Sequence, residues 1–492
     1  MLIPMTRPVA PVLPTREVLG ARSAALGAAV PPEVAELAEL FDSAGFDLAL
    51  VGGSVRDVLL GRRSTDVDFA TSAQPDDTEA LLKKWTPATW DMGREFGTIG
   101  GRKGDLVAEI TTYRADEYDG ATRKPVVAFG DSLEGDLARR DFTINAMALR
   151  VPSGEFVDPF GGLDDIAGGL LRTPIDAEVS FGDDPLRMMR AARFASQLSF
   201  DIEPATFAAM ARLAERIGIV SAERVRDEFT KLILGANVRE GLRVLVDSGL
   251  AERVLPELPA LKLEIDEHHH HKDVYEHTLT VVEQAIDLET GPEGAVPAPD
   301  LVLRLAALLH DIGKPPTRRL EPGGGVSFHH HEVVGAKMAG RRLKALKFDK
   351  ETVKAVTLLV ELHLRFHGYG EARWSDSAVR RYVTDAGAQL ERLHRLTRAD
   401  VTTRNRRKAE RLAFAYDDLE NRIAQLREQE EIDAIRPDLD GTQIMEVLGI
   451  KPGREVGEAY KHLLDLRMEH GPLGEERARE ELKAWWRART TP

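Results

Sequence analysis

The sequence predicts an α+β head followed by a mostly α-helical remainder. Within residues 31–172, short apolar or alternating runs such as Leu48–Val51 and Leu106–Thr112 are typical of strands in a small mixed sheet, and helical segments lie between them. After residue 173 the apolar residues recur at helical spacing between glycine or polar breaks. A chain of 492 residues is too long for one core, so we expect about three or more domains.

Composition limits the classes to which this protein can belong. The chain has no cysteine, which excludes disulfides and thiolate metal sites. It has no apolar run of about 18 residues and no signal-peptide core, so we expect a cytoplasmic protein without a membrane span. A formal net charge of −15 argues against indiscriminate binding to nucleic acid, so any RNA must meet local basic surfaces.

The segment Leu48–Thr71 is the centre of the predicted head. A buried strand ends at Gly52 and Gly53, where the backbone can approach a bulky ligand and its amides can meet phosphate oxygens. A short helix then leads to a second strand that carries Asp66 and Asp68. Residues i and i+2 of a strand share a face, so these carboxylates converge and favour a site for Mg²⁺ and a nucleotide triphosphate.

This segment resembles the first motif of the tRNA nucleotidyltransferases (CCA-adding enzymes) and the bacterial poly(A) polymerases, the class II branch of the polymerase β-like nucleotidyltransferases. The resemblance implies a polymerase β-like head in which Asp66 and Asp68 hold the catalytic metals. It also implies that Gly53 and Arg56 contact the phosphates of the incoming nucleotide.

Glu109 lies in the middle of the predicted strand Leu106–Thr112, in an otherwise apolar setting. One interpretation is a carboxylate on an edge strand, and the other is a third acid of the metal site, the role that this strand has in related polymerases. The segment Met92–Ile99 is also predicted as a strand. The polar, glycine-containing segment Tyr113–Pro125 is expected to be a flexible loop, and it resembles the loop that helps CCA-adding enzymes to switch from C to A.

The segment Asp136–Ala146 contains a second motif, with paired arginines at Arg139 and Arg140. Guanidinium groups bind phosphate in a bidentate manner, so the pair suits a triphosphate, whereas an isolated arginine pair is more often merely exposed. The segment resembles the second block of the same family. The resemblance implies that Arg140 contacts the nucleotide and that Thr143 and Asn145 shape the site.

A helix is predicted to start near Asp184 and Pro185, with Asp184, Arg187, Arg190 and Arg193 along one face. Such spacing is also typical of an exposed, salt-bridged stripe. The segment resembles the base-reading template Glu-Asp-x-x-Arg of the family, except that its first acid is an aspartate. The resemblance implies that Asp184 and Arg187 pair with the edges of cytosine or adenine and so select CTP and ATP. Arg190 and Arg193 would hold phosphates and brace that pair.

Histidines and aspartates are spread over a later region, residues 263–412. Imidazole and carboxylate ligands suit a divalent metal that activates water, although each histidine alone is more often a surface or capping residue. The order His, His-Asp, Asp at these separations resembles an HD phosphohydrolase domain. The resemblance implies that a first metal is bound by the following residues: His277, His310, Asp311 and Asp400. It also implies that His331 and His363 complete a second site.

We therefore divide the chain into five parts. They are a loose leader (1–30), a nucleotidyltransferase head (31–172), a helical neck with the base-reading helix (173–262), an HD metal-dependent domain (263–412) and a helical tRNA-binding tail (413–492). The HD domain either hydrolyses phosphomonoesters or 2′,3′-cyclic phosphodiesters at damaged RNA ends, or only presents RNA. Basic residues between 392 and 411 form either a solvated helix face or a surface that follows RNA phosphates.

The leading prediction is a template-independent tRNA nucleotidyltransferase. It would add C, C and A from CTP and ATP to the 3′ end of tRNA and release pyrophosphate, with Mg²⁺ in the head and a divalent metal in the HD domain. One alternative is a poly(A) polymerase, although the basic signature usual in bacterial poly(A) polymerases is not evident between Thr71 and Asp91. Another is an HD phosphohydrolase with an accessory head. A third, a non-catalytic RNA-binding protein, would not need both metal sets.

Overall fold

The structure, a computed structural model, divides the chain into two compact units. It describes residues 13–62, 66–114, 129–130, 132–262, 273–322, 325–366, 369, 374–403, 405–430 and 435–490. The first unit takes in residues 5–259 and the second takes in residues 260–492. The predicted flexible loop lies outside the described residues from 115 onward. Among the helices that are described, none is both long and apolar enough to cross a membrane.

The N-terminal segment contains a packed helix rather than only the loose leader expected for residues 1–30. Helix α1, Arg16–Leu26, lies against the head. Leu19 is fully buried, and Arg22 donates a hydrogen bond to a backbone carbonyl of the head. The expected loose leader is therefore wrong for this helix, and residues 1–12 lie outside the described part of the chain.

A seven-stranded mixed sheet forms the centre of the head. Its strands are β1 (Leu48–Val51), β2 (Asp66–Thr71), β3 (Ala88–Trp90), β4 (Thr98–Lys103), β5 (Leu106–Thr112), β6 (Ala148–Val151) and β7 (Phe156–Val157). They are ordered β3-β4-β5-β2-β1-β6-β7, with β2 and β5 parallel and the other neighbours antiparallel. Because β5 lies inside the sheet, the interpretation of Glu109 as an edge-strand carboxylate is wrong.

Helices cover the two faces of this sheet unequally. The helices of the head are α2 (Pro32–Ser43), α3 (Gly53–Leu59), α4 (Pro75–Trp85), α5 (Leu133–Ala138) and α6 (Gly162–Gly168). Helix α4 packs on one face, where a Cβ at Gly101 would lie 3.2 Å from Leu82. On the opposite face α5 packs over β1 and β2, where Leu137 joins a buried cluster with Ala49 and Ala70. The neighbouring part of that face carries exposed acids, as described below.

One predicted strand of the head is wrong. The segment Met92–Ile99 forms a turn and a short 3₁₀ helix, Arg94–Phe96, and only its last two residues belong to β4. Gly97, with φ of +81°, supplies the left-handed residue that ends this turn. The alternation of apolar and polar residues was therefore produced by a turn rather than by a strand.

The neck is built from helices around one buried helix. Its elements are β8 (Leu170–Leu171), α7 (Ala177–Asp183), α8 (Leu186–Leu198), β9 (Asp201–Ile202), α9 (Pro204–Leu213), α10 (Ala222–Ile233), α11 (Val238–Asp247) and α12 (Ala251–Val254). Helix α8 packs against α10 and α11, and most of its side chains are buried. It begins directly after Pro185, as the sequence predicts.

The second unit is mainly helical. Its elements are α13 (Val274–Asp287), α14 (Leu301–Leu309), α15 (Lys314–Thr317), β10 (Arg319–Leu320), β11 (Val326–Ser327), α16 (His331–Ala345), α17 (Lys350–Leu362), α18 (Asp376–Ala386), α19 (Leu390–Ala399), α20 (Arg406–Glu430), α21 (Gly441–Leu448), α22 (Arg454–His470) and α23 (Glu475–Thr490). Helices α13, α14, α17 and α19 pack together, and α21 to α23 share a small core of their own. The predicted boundary at residue 412 falls inside α20.

Four of the eight lysines and arginines between residues 392 and 411 are paired with acids of the same unit. Arg392 forms an ion pair with Asp300 at 2.7 Å, and Arg398 forms one with Glu420 at 2.9 Å. Arg395 and Arg406 pair with acids one helical turn away. These pairs favour a solvated helix face over a surface that follows RNA phosphates for the four arginines.

Two candidate active sites

A row of residues across four strands of the head carries two acids. Asp68 of β2 pairs with Glu109 of β5, Glu109 pairs with Gly100 of β4, and Gly100 pairs with Trp90 of β3. Directly paired residues point to the same face of a sheet, so the two exposed carboxylates are neighbours across one strand spacing of about 5 Å. This register supports Glu109 as a further acid of the site. Asp66 lies two residues before Asp68 in β2, and its role as a ligand stays a prediction.

Arg140 lies over the glycine turn beside Asp68. Gly52 has a φ of +72°, a left-handed conformation that favours glycine. A Cβ there would lie 2.9 Å from Nη1 of Arg140 and 3.8 Å from Oδ2 of Asp68. Buried Asp136 accepts a hydrogen bond from Nη2 of Arg140 at 3.0 Å and so fixes the direction of the guanidinium. The turn, the guanidinium and the carboxylate thus share one small space, which fits the predicted contact of Arg140 with a triphosphate.

Arg56 lies behind this turn rather than at its open side. Its Nη1 donates a hydrogen bond to Oδ1 of Asn145 at 2.7 Å, and its Nη2 donates one to Oδ1 of Asp57 at 2.8 Å. The guanidinium also lies against Gly53, where a Cβ would be 3.5 Å from Nη2. Arg56 is only 9% exposed. It therefore holds α3 against the second motif, and this position does not favour the predicted direct contact with phosphate.

Asp141 connects the second motif to the neck. Its Oδ2 accepts a hydrogen bond from Nε of Arg190 at 2.6 Å, and its Oδ1 accepts one from the side-chain amide of Asn145 at 2.9 Å. Burial by itself raises the pKa of this carboxyl, but Arg190 and Asn145 outweigh burial and hold the pKa well below its usual range. Asp141 therefore stays ionised, and Arg190 is held in an ion pair at the base of the head.

Arg193 is enclosed on the same helix. It forms an ion pair with Glu228 of α10 at 2.8 Å, and both side chains are more than nine-tenths buried. Its guanidinium lies 4.2 Å from the ring centroid of Phe194, which also has Arg56 at 5.1 Å and Arg190 at 5.7 Å. Burial and the neighbouring charge of Arg190 lower the pKa of Arg193 to about 10. These contacts suit the predicted bracing role of Arg190 and Arg193, whereas they do not favour a phosphate contact.

Asp184 and Arg187 lie where α7 ends and α8 begins. Oδ1 of Asp184 accepts a hydrogen bond from the amide of Leu186 at 3.1 Å. Nη1 of Arg187 donates to Oγ of Ser180 at 2.7 Å, and Nη2 donates to the carbonyl of Arg139. Arg187 is thus buried between the neck helix and the second motif. The structure brings Arg187 of the predicted base-reading pair into contact with the second motif, and base recognition itself stays a prediction.

The second unit gathers all six histidines and aspartates that the sequence predicts for the HD domain. Their ligand atoms form two groups, each within 4.8 Å of one another: His277, His310 and Asp400, and Asp311, His331 and His363. Asp311 faces both groups, with Oδ2 3.2 Å from Nε2 of His310 and Oδ1 3.2 Å from Nε2 of His331. Asp311 would therefore be available as a metal ligand to either group. Lys314 lies 2.6 Å from Oδ2 of Asp311 and is the nearest cation described.

Each histidine of this cluster is oriented through Nδ1. In His310, His331 and His363 that atom lies 2.8, 2.9 and 2.6 Å from a backbone carbonyl, and in His277 it lies 3.0 Å from Oγ1 of Thr402. The Nε2 atoms of the first three are buried, and none of them makes a well-aligned hydrogen bond with a described residue. Buried polar atoms normally make good hydrogen bonds, so three buried imidazole nitrogens that lack one, two of them 3.2 Å from Asp311, fit one or two transition-metal ions.

The charges of the cluster favour ionised carboxylates. Burial lowers the pKa of His310, but the charges of Asp311 and Asp400 outweigh burial and raise that pKa to about 10. Burial together with the charge of His310 lowers the pKa of His363 to about 4. The pKa values of both aspartates lie well below the usual range, because the histidines outweigh the effect of burial. Ionised carboxylate is the form that binds metal.

Three residues of these sites were missed by the sequence analysis. Asp141 follows the paired arginines, and a buried acid in contact with a neck arginine cannot be recognised from that position alone. Glu228 looks like any exposed helical acid until α10 is packed on α8. Trp90 had a signal, because the adjacent glycines Gly100 and Gly101 within a strand are typical of a place where a bulky neighbour approaches the backbone.

Comparison with protein-family models finds three matches. They are the poly A polymerase head domain over residues 48–172, the probable RNA and SrmB-binding site of polymerase A over residues 199–261, and the HD domain over residues 274–405. The first match includes Asp68 and Glu109, which we call the acidic row, and Arg140 of the second motif. The third includes all six members of the histidine and aspartate cluster.

Curated relatives include tRNA-modifying transferases of several bacteria. The A-adding tRNA nucleotidyltransferase of Deinococcus radiodurans is 35% identical over 445 residues, which covers 89% of this chain and 94% of that protein. The CCA-adding enzymes of Leuconostoc mesenteroides and Bacillus velezensis are 43% and 45% identical. These two matches span 45% and 44% of this chain, and this chain spans about half of each enzyme, 54% and 53%.

Solved structures with the same architecture include CCA-adding enzymes. The enzyme of Bacillus stearothermophilus, solved in complex with CTP, superposes with a TM-score of 0.67 at 26% identity and covers 94% of this chain and 99% of that one. The Thermotoga maritima enzyme complexed with tRNA has a TM-score of 0.59 at 20% identity, covering 96% of this chain and 98% of that one, and supports the fold alone.

Proposed function

The chain belongs to the tRNA nucleotidyltransferase family, and we propose that it adds C, C and A to the 3′ end of tRNA from CTP and ATP. Membership rests on 35% identity along nearly the whole length of a tRNA nucleotidyltransferase. The observation that carries the activity is the acidic row of the head beside Arg140. Asp68 and Glu109 are in register on one exposed face, and Arg140 lies over Gly52 next to Asp68.

The two acids suit a hard cation. Carboxylate oxygens on an exposed strand pair are the ligands that Mg²⁺ prefers, so we propose that Asp66, Asp68 and Glu109 hold Mg²⁺. When bound, Mg²⁺ supplies a charge that favours the attacking RNA oxygen and the departing pyrophosphate. Arg140, oriented by Asp136, holds the triphosphate. The backbone of Gly52, which has no side chain to obstruct it, allows the phosphates to approach.

Selection of the base is proposed for the junction of α7 and α8. An aspartate accepts a hydrogen bond from the exocyclic amine of cytosine or adenine, and an arginine donates to the ring edge. Asp184 and Arg187 offer this pair within the same unit as the acidic row. Uracil and guanine would leave buried polar groups unpaired, which disfavours them. A protein side-chain template of this kind needs no nucleic-acid template.

An extension assay tests the proposal against the activities of related enzymes. Purified tRNA that ends at the discriminator base, and the same tRNA ending in CC, are incubated with Mg²⁺ and labelled CTP, ATP or both. We expect two additions with CTP alone and three with both nucleotides. Addition of a single A only to the tRNA ending in CC would replace the proposal by A addition, the activity named for the Deinococcus radiodurans relative. A long A-only tail would indicate a poly(A) polymerase, and no extension would contradict the proposal.

A second activity is proposed for the histidine and aspartate cluster, namely hydrolysis of phosphomonoesters or 2′,3′-cyclic phosphodiesters. One or two divalent metals are supported by three buried imidazole nitrogens without a well-aligned hydrogen bond and by Asp311, whose two oxygens face the two groups of ligands. When bound, such a metal lowers the pKa of a coordinated water and so supplies a nucleophile at neutral pH. Lys314, beside Asp311, offers a positive charge for a phosphate oxygen.

Metal content and hydrolysis test this second activity. The protein is loaded with Mn²⁺, Ni²⁺ or Zn²⁺, dialysed, and analysed for bound metal and for cleavage of 2′,3′-cyclic AMP. We expect up to two ions per chain and metal-dependent cleavage. The variant H331Q should lose one ion, whereas H330Q should lose none, because the side chain of His330 is 84% exposed. Wild-type protein that binds no metal would contradict the proposal.

A further inference from the structure

Trp90 shares the row of the two acids, at the edge of the sheet. The pairs Trp90–Gly100, Gly100–Glu109 and Glu109–Asp68 join four neighbouring strands, so all four residues point to one face. Thr89, the residue before Trp90, pairs with Gly101, the residue after Gly100. Both of these residues point to the opposite face of the sheet, which α4 covers. Trp90 therefore lies on the same face as the acids, about three strand spacings from Asp68.

The indole of Trp90 reaches inward over Gly100. A Cβ at Gly100 would lie 2.1 Å from Nε1 and Cε2 of Trp90, so the ring occupies the space directly above this glycine. Gly100 is one strand spacing, about 5 Å, from Glu109. Trp90 is only partly buried. A flat aromatic surface thus borders the acids on the side of β4 and β3.

The groups that suit a triphosphate border the acids on the opposite side. Gly52 and Arg140 lie next to Asp68 on the side of β1. In phosphoryl and nucleotidyl transfer the attacking and leaving oxygens are roughly in line. If pyrophosphate leaves on the side of β1, the attacking RNA hydroxyl approaches from the side of β5, β4 and β3. Trp90 lies on that side.

We infer that the indole of Trp90 stacks on the terminal nucleobase of the RNA and so positions the 3′ hydroxyl over Glu109 and Asp68. This inference rests on the proposed nucleotide addition. Every nucleobase has a π face, so stacking on one indole accepts RNA that ends in any discriminator base, in C or in CC. A sequence-tolerant contact is what the site needs, because the terminal base changes after each addition.

The test compares substitutions that keep apolar cover over Gly100 but differ in aromatic character. W90F retains a ring, W90L does not, and T89A is a matched change in the same strand on the opposite face. A short RNA hairpin with the single-stranded end of an acceptor stem is used to measure KM for the RNA, KM for CTP, and kcat. We expect W90L to raise the KM for the RNA roughly tenfold, with W90F and T89A close to wild type and the KM for CTP unchanged.

Binding of the same RNA without nucleotide, followed by fluorescence anisotropy, separates this inference from the proposed activity. If wild-type protein adds no nucleotide but W90L still weakens RNA binding about tenfold, the proposed activity fails, the positioning of the 3′ hydroxyl fails with it, and only the stacking of Trp90 on the RNA end stands. An equal KM for the RNA in W90L and wild type would overturn the inference. A rise in the KM for CTP instead would also overturn it, because Trp90 would then stack on the incoming nucleotide. Equal impairment of W90F and W90L would indicate packing rather than stacking.

Discussion

The acidic row of the head and the histidine cluster of the second unit are constructed in opposite ways. In the head, Asp68 and Glu109 are exposed, come from adjacent strands, and are placed by backbone register. In the second unit, His310, Asp311 and His363 are almost completely buried, and each histidine is oriented by a hydrogen bond at Nδ1. One site is an open surface and the other is an enclosed cluster.

This difference indicates different tasks. An exposed pair of carboxylates leaves room for a nucleotide triphosphate on one side and an RNA end on the other, and it suits a weakly held hard cation. A buried set of imidazoles and aspartates suits a transition metal that stays bound between turnovers. We therefore expect the two sites to be separable by single substitutions, since they lie in different compact units.

The largest effect is expected for D68N. The substitution removes the charge of a proposed Mg²⁺ ligand and keeps its shape, so the rate of pyrophosphate release should fall by at least about a thousandfold. Hydrolysis of 2′,3′-cyclic AMP by the second unit should stay within twofold of wild type, roughly the accuracy of the assay. E109Q should lower the rate less than D68N but well beyond that margin. Pyrophosphate release by D68N at a wild-type rate would show that the acidic row is not the catalytic site.

The next largest effect is expected for H310Q, which should lower the affinity of the histidine cluster for metal. Changes to groups that only orient a ligand cost about 10- to 100-fold in metal affinity, so loss of a ligand should weaken binding by more than about a hundredfold. The matched control is H394Q, because His394 is equally buried but stacks on Tyr382 outside the cluster. Isothermal titration with Mn²⁺ provides the measurement. Similar metal affinities of H310Q and H394Q would argue against a metal centre at the cluster.

The variant D141N tests how the head is joined to the neck. Asp141 is 8% exposed and its partner Arg190 is 32% exposed, so D141N should destabilise by roughly 2 kcal/mol, whereas E134Q at an exposed pair should cost less than about 1 kcal/mol. The pKa of Asp141 is lower in the folded than in the unfolded state. Its ionised form therefore stabilises the fold above a pH of about 4, and this contribution is lost as the pH falls further.

Hydrogen exchange of the amides of α8 in urea reports this stability. The difference in opening free energy between wild type and D141N should be full at pH 7 and should shrink as the pH falls below about 4. A difference that does not change with pH would mean that Asp141 acts through its shape and not through its charge.

The smallest of these effects is expected for R140K. Lysine keeps the positive charge but loses the planar fork that binds phosphate in a bidentate manner and that Asp136 orients. We expect the KM for CTP and ATP to rise roughly tenfold with the KM for RNA unchanged. If only the KM for RNA rises, Arg140 contacts the RNA backbone, and the assignment of the two sides of the acidic row must be exchanged.

Much of the fold could be predicted because its elements have strong local signals. The strand before Gly52, the helix α4 and the start of α8 after Pro185 follow from apolar patterning and capping residues. The strand predicted over Met92–Ile99 was wrong, because a turn that places apolar residues alternately has the same local pattern. The helix α1 was missed, since its burial depends on the surface of the head against which it packs.

Site residues could be predicted where they are close together in the sequence. They were harder to predict where tertiary packing brings distant residues together. Asp68 could be identified from two residues of one strand. Asp311 lies between two groups of ligands because four helices pack together, and this position could not be derived from the separation of the residues along the sequence. For Arg56 the prediction from the local motif was not supported. The motif predicts a contact with phosphate, whereas the guanidinium donates a hydrogen bond to Asn145 of a distant segment. Register, which joined Trp90 to Asp68, is set by strand pairing and is invisible in a single motif.

The central claim is that the acidic residues Asp68 and Glu109 of the head, and not the histidine cluster of the second unit, perform the chemistry of nucleotide addition. It is tested most directly by extension of tRNA ending at the discriminator base with CTP and ATP, using wild type, D68N and H310Q prepared in parallel. We predict three added residues with wild type and with H310Q, and none with D68N. Loss of extension in H310Q with retention in D68N would contradict the claim and assign the chemistry to the second unit.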